Sequence, residues 1–168
     1  MIVGTTILKD ALERVSFAAG KYNPRVNTPS NEVAKAGVHV FLRGDKLGFF
    51  CSSYEIFAME TISVELTDED KDFDAFVYPG YILEHLKYID GEVEPRKTKK
   101  SIMMQKKSGK QKVRIVNKEW MKEYFSDPSD PFEEVSGTVP IIIEASLFRK
   151  VLLKTEYAAH GSGIAQNV

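Results

Sequence analysis

One pattern occurs twice in this chain and constrains its fold more than any single motif. An apolar run leads into an amphipathic helix near the start, Met1-Ile2-Val3 and then residues 7–21, and again near the end, Ile141-Ile142-Ile143 and then residues 148–160. In register, Leu12 falls on Leu152, Arg14 on Lys154, Phe17 on Tyr157, and Ala18-Ala19 on Ala158-Ala159. A period of about 3.6 residues is common to all amphipathic helices. A strand entering the same helix twice is more demanding. It predicts a duplicated unit whose second copy stops after its first helix.

The stretches between the copies read mostly as strands. Leu8, Leu12, Val15 and Ala19 form the apolar face of the first helix, which Gly20 ends. Residues 21–35 are a polar loop punctuated by Pro24 and Pro29. Residues 37–42 and 47–51 are two strands, with Gly44-Asp45 as a two-residue hairpin turn. Residues 56–66 alternate, placing Ile62, Val64 and Leu66 on one face. A strand at 73–77 follows an acidic loop, and Pro79 then opens a second helix to Ile89, with Ile82, Leu83, Leu86 and Ile89 inward. Residues 93–99, 102–106 and 112–116 give three more strands, and Asn117 is placed to cap a short helical turn through Phe125. Residues 126–131, Ser-Asp-Pro-Ser-Asp-Pro, form a linker. The predicted fold is α+β: two βαβββ halves with two helices packed on antiparallel sheet, a domain at 1–126, a linker at 127–138 and the start of a second domain at 139–168.

A formal net charge of −1 conceals strong segregation. Between Glu55 and Glu94 only Lys71 and Lys87 oppose the acids, and between Arg96 and Lys122 only Glu119 opposes the bases. Cys51 is the one cysteine, so an internal disulfide is excluded and a reducing, cytoplasmic compartment is the simpler expectation. No window approaches the roughly 18 apolar residues of a membrane span, and Met1-Ile2-Val3-Gly4 lacks the charged start of a signal peptide.

This order of elements, with these junctions, resembles the first domain of the bacterial-type DNA sliding clamp, the β subunit of DNA polymerase III. The resemblance is carried by residues 8–19, by Gly37-Val38-His39-Val40-Phe41-Leu42 with Asp45-Lys46-Leu47, by Ser53-Tyr54-Glu55-Ile56, and by Phe76-Val77-Tyr78-Pro79 with Ile82, Leu83 and Leu86. Residues 108–115 match its final strand, and residues 141–160 match the start of its second domain. Three departures stand out. The 21–36 loop is longer than in the family, residues 120–125 look like an insertion, and the family builds its ring from chains of three such domains. The resemblance implies a DNA-clamp (processivity-fold) domain that encircles double-stranded DNA without sequence preference and tethers the replicative polymerase. Its implied partners are further clamp subunits, the polymerase and the clamp loader. It implies no cofactor, no catalytic residue and no membrane. The family's pocket for polymerases and loaders, which lies around the second and third domains, is expected to be missing. The alternative is a non-ring nucleic-acid-binding or protein-interaction module with the same fold.

The resemblance puts Lys9, Arg14, Lys21, Arg25, Lys87 and Arg149 on the DNA-facing side. Their interleaving with Asp10, Glu13 and Glu84 also fits ordinary solvated helix charges. The family's subunit interface maps to Lys110, Lys112, Val113 and Ile115, on an exposed sheet edge. For the basic run at 96–122 three readings stand: subunit interface, solvated sheet edge, or direct DNA contact. Asp70-Lys71-Asp72 opens like a calcium loop, but Ala75 and Tyr81 occupy the positions that need glycine and glutamate. Cys51 lies in a strand beside Phe49 and Phe50 and reads as a small buried residue rather than a nucleophile. His39, His85 and His160 lack metal-ligand spacing.

Overall fold

The computed structural model describes residues 1–20, 28–52, 56–67, 73–125, 127–128 and 143–161. The chain divides into two compact units, Met1–Phe132 and Glu133–Val168.

In the first unit a short strand, β1 (Val3–Gly4), turns directly into helix α1 (Thr5–Ser16). Thr5 makes that corner by donating both its N–H and its hydroxyl to the carbonyl of Gly91, at 2.8 and 2.9 Å. A single turn, α2 (Asn31–Ala34), precedes the hairpin β2 (Val38–Arg43) and β3 (Lys46–Ser52), and β4 (Phe57–Ser63) completes the first half. The second half repeats the order with β5 (Asp74–Val77), α3 (Pro79–Leu86), β6 (Glu92–Thr98), β7 (Ser101–Lys106) and β8 (Lys112–Val116). A 3₁₀ turn, Glu119–Tyr124, follows. The hairpin turn is the expected one: Gly44 holds φ at +60° in the first central position, the type II′ pattern. Gly48 lets the ring of Phe41 lie on the β3 backbone, since a Cβ there would meet that ring at 2.4 Å.

The two sheets run β4-β3-β2-β5 and β1-β6-β7-β8, antiparallel throughout. Each half therefore gives its first strand to the other half's sheet. The exchange is stitched at both seams. Ile2 N–H donates to the carbonyl of Glu65 at 2.8 Å, and at the matching place Lys118 N–H donates to the carbonyl of Phe76 at 2.7 Å. At the second seam the side-chain Oδ1 of Asn117 accepts the Phe76 N–H at 3.0 Å. Asn117 thus does not cap the following turn as expected; its short amide replaces a backbone carbonyl that the ladder lacks there.

One core joins the inner faces of both sheets to the buried sides of α1 and α3. It contains Leu8, Leu12 and Val15 of α1, Ile82 and Leu86 of α3, and Val40, Phe49, Val93 and Met104 from the sheets. Burying each such side chain favours folding by about 1.5–3 kcal/mol. The first helix is shorter than its apolar pattern suggested, because the chain leaves the helix at Phe17 and buries Ala18 in a turn instead. Leu66, expected on one face with Ile62 and Val64, is 45% exposed although those two are buried. A second, smaller cluster joins Ala34, Ala36, Phe76, Tyr78 and Met121. Residues 33–36, at the described end of the long loop, and the inserted 120–125 segment thus meet and cover the side of β5 away from the main core.

In the second unit a helix, α4 (Ala145–Gly161), is described. Leu147, Phe148, Val151 and Leu152 lie within about 140° of arc on it at 100° per residue, and each is 50–54% exposed.

Candidate nucleic-acid interface and assembly edges

Helix α1 packs against α3, so their solvent sides make one surface. Thr5, Leu8, Ala11, Leu12 and Val15 face the core. Asp10, Glu13 and Phe17 occupy the middle of the exposed side. Lys9 and Arg14, five residues apart, are separated by about 140° around the axis and flank that stripe on opposite sides. Each described cation expected to face DNA from α1 and α3 is paired. Lys9 Nζ lies 3.8 Å from Glu13, Arg14 3.3 Å from Glu60, and Lys87 2.7 Å from Glu84. The last contact, a hydrogen bond and then charge attraction, lowers the Glu84 carboxyl and raises the Lys87 ammonium from their ordinary values. Such exposed pairs are individually weak. They still leave this face near electrical balance, with Phe17, Tyr81 and Tyr88 exposed on it at 69%, 45% and 70%. Lys21 and Arg25 lie outside the described residues. Arg149 belongs to the second unit, where it shares an exposed side of α4 with Ser146, Lys150 and Lys154.

Strand β8 stands at one sheet edge and β4 at an edge of the other. Lys110 and Lys112 are exposed as expected. Ile115 is not: it is 3% exposed and part of the main core, and Val113 packs half-buried against that core. Register explains the correction. Ile115 pairs with Ile102 and Val113 with Met104, both buried, so the odd-numbered residues of β8 point inward. The apolar side chain displayed at this edge is Val116, 59% exposed.

The residue contacts least legible in the sequence lie on the outer side of the other sheet. His39 Nε2 donates to Asp74 Oδ1 at 2.6 Å, and its ring stacks on Phe76 at 4.4 Å between centroids. Its Nδ1 is buried without a hydrogen-bond partner among the described residues. Burial lowers the pKa of His39, with Asp74 opposing, so the ring is neutral at pH 7. Burial pushes the Asp74 carboxyl up, but His39 and Lys122 together hold it below the usual value. Arg43 closes the same cavity by pairing with Asp127 at 2.9 Å. Cys51 is fully buried, and burial raises its thiol to about 12, which keeps it protonated.

Two four-stranded antiparallel sheets with exchanged first strands and two packed helices define the α+β processivity fold of DNA clamps. Solved clamp structures share it. The Helicobacter pylori beta clamp bound to a DNA ligase peptide is similar with a TM-score of 0.60 and 13% identity, over 85% of this chain and 33% of the clamp. The DNA polymerase sliding clamp of Pseudomonas aeruginosa is similar with a TM-score of 0.56 and 12% identity, over 70% of this chain and 29% of the clamp. The chain thus spans about a third of the length of the clamps it resembles. No protein-family model and no curated protein matches it.

Proposed function

We propose that this chain supplies one clamp-type domain, with the opening of another, to a ring that encircles double-stranded DNA and acts as a processivity factor for a replicative polymerase. The observation that carries this reading is the pairing of the clamp fold with a strand at each sheet edge, β4 and β8, of contrasting surroundings. Glu60 and Glu65 lie along and just past one, Lys110, Lys112 and Arg114 along the other. A head-to-tail contact of this kind closes into a ring when its rotation allows. Lys9, Arg14 and Lys87, with Lys21, Arg25 and Arg149, are the cations that would meet phosphates in the channel, and no residue has to react. Further subunits, a polymerase and a clamp loader are the partners of this reading.

The test is topological. The protein is loaded on a nicked circular plasmid, and half of the sample is then linearised before gel filtration. A clamp co-elutes with the circle and is lost from the linear form. Equal retention on both, by a protein of monomer mass, overturns the proposal. That outcome would favour a non-ring module with the same fold, a reading supported by one observation: the described cations of the helix face are already held by Glu13, Glu60 and Glu84.

A further inference from the structure

The largest concentration of uncompensated charge lies away from the helices. Ten Lys and Arg residues and no Asp or Glu occur between Pro95 and Lys118. Strand alternation sorts them by face. Opposite the inward rows Pro95–Met104–Val113 and Lys97–Ile102–Ile115, of which Lys97 is exposed, the outward row sets Arg96 beside Met103 and Arg114. The next outward row places Lys112 beside Gln105 and Glu94. Lys99 and Lys100 stand in the β6–β7 turn at one end of this face and Lys110 in the β7–β8 turn at the other, all exposed.

Ion pairing involves three of these ten among the described residues. Arg96 reaches Glu94 at 3.2 Å, Lys106 reaches Asp90 at 2.5 Å and Lys107 reaches Glu92 at 3.0 Å. Lys99, Lys100, Lys110 and Lys112 have no carboxylate within salt-bridge distance among the described residues. Arg114 spends one guanidinium N–H on the hydroxyl of Ser101 at 3.1 Å, which orients the group and leaves its other donors outward. Strand spacing puts Arg96 and Arg114 about 10 Å apart across the sheet, and Arg114 and Lys112 about 7 Å apart along it. The result is a flat basic field held by a rigid ladder.

We propose that the outward face of β6, β7 and β8, with its two flanking turns, is a sequence-independent binding site for the phosphate backbone of double-stranded nucleic acid, separate from the helix face. The chemistry selects this ligand over two others. None of the outward side chains of these strands is aromatic, so unpaired bases have no stacking platform. Six outward or turn cations, set against Glu92 and Glu94 with Glu92 held by Lys107, suit a continuous run of phosphates better than the spaced carboxylates of a folded partner.

The full chain is titrated with a short fluorescent duplex by anisotropy at several salt concentrations from about 50 to 200 mM. The double variant Lys99→Gln/Lys100→Gln changes two exposed side chains in a surface turn outside the core. It is expected to weaken binding roughly tenfold at the lowest salt and to reduce the log–log salt slope by about two. The control double variant Lys46→Gln/Lys122→Gln removes the same charge from exposed positions outside both this face and the helix face, and is expected to leave both quantities unchanged. A poly-glutamate peptide of matched charge should compete less well than unlabelled duplex. The inference is overturned if the turn variant binds like the parent, if the control variant loses as much affinity as the turn variant, if the peptide competes equally, or if the chain does not bind. Plasmid retention reads ring closure independently, so the ring can fail while this site stands, and the reverse.

Discussion

At the scale of single residues, His39 is the group whose behaviour follows most directly from its surroundings. It sits in a cavity with Arg43, Asp74, Lys97 and Asp127, and Lys122 reaches the far oxygen of Asp74 at 3.4 Å. Burial holds its pKa below the ordinary 6.5 even with two carboxylates nearby. The unfolded chain therefore takes up a proton as the pH falls through 6.5, while the folded chain resists until lower pH. His39 thus contributes stability that is present above 6.5 and lost as the pH falls towards its folded value. Asp74 acts in the same direction, but below the ordinary carboxylate value of 3.8. The expected result is a drop in unfolding free energy between about pH 7.5 and 5.5 that is smaller in His39→Gln, measured by urea denaturation at each pH. An unchanged pH dependence in the variant would remove His39 from this role.

At the scale of elements, β8 is where side-chain placement and sequence pattern part company. Substituting Ile115 with Ala is expected to cost about 2–5 kcal/mol in urea denaturation, as for a core aliphatic. Val116→Asp, on the exposed side of the same strand, is expected to stay within about 0.5 kcal/mol of the parent while impairing assembly. The reverse order would return Ile115 to the surface. Every strand and both long helices of the first unit were legible, because Leu8, Leu12 and Val15 repeat at helical spacing and Gly44, Pro79 and Gly91 punctuate locally. What was not legible depended on partners distant in sequence. Nothing near Ile115 says which face of β8 meets the core; that is fixed by its pairing with Ile102. Asn117 looks like a cap until Phe76, 41 residues earlier, is seen to need an acceptor. The basic candidates Lys9, Arg14 and Lys87 were visible as charges, but Glu60, the partner of Arg14, lies in another element.

On the scale of the whole molecule, the exposed apolar stripe of α4 leads to an expectation about assembly. Leu147 and Phe148, 54% and 50% exposed, lie on an arc that a self-complementary helix contact would cover. Light scattering is expected to give a mass above the 19.0 kDa of one chain, and Leu147→Glu/Phe148→Glu to lower it. An unchanged mass in the variant rules out α4 as the contact. The exchanged first strands bear on another matter, the moment of folding. Thr5 is held by Gly91, 86 residues later, and β1 finds its partner only in β6. A chain emerging from the ribosome therefore cannot finish either sheet when its first half is complete. Closing so long a loop precedes much of the stabilising contact, which makes folding slow for a chain of this size and all-or-none across the two halves. Until β5 has been synthesised the β2–β3–β4 meander waits with β2 as an unpaired edge, and until β6 follows β1 has no partner, and that interval is when this protein is most exposed to aggregation and proteolysis.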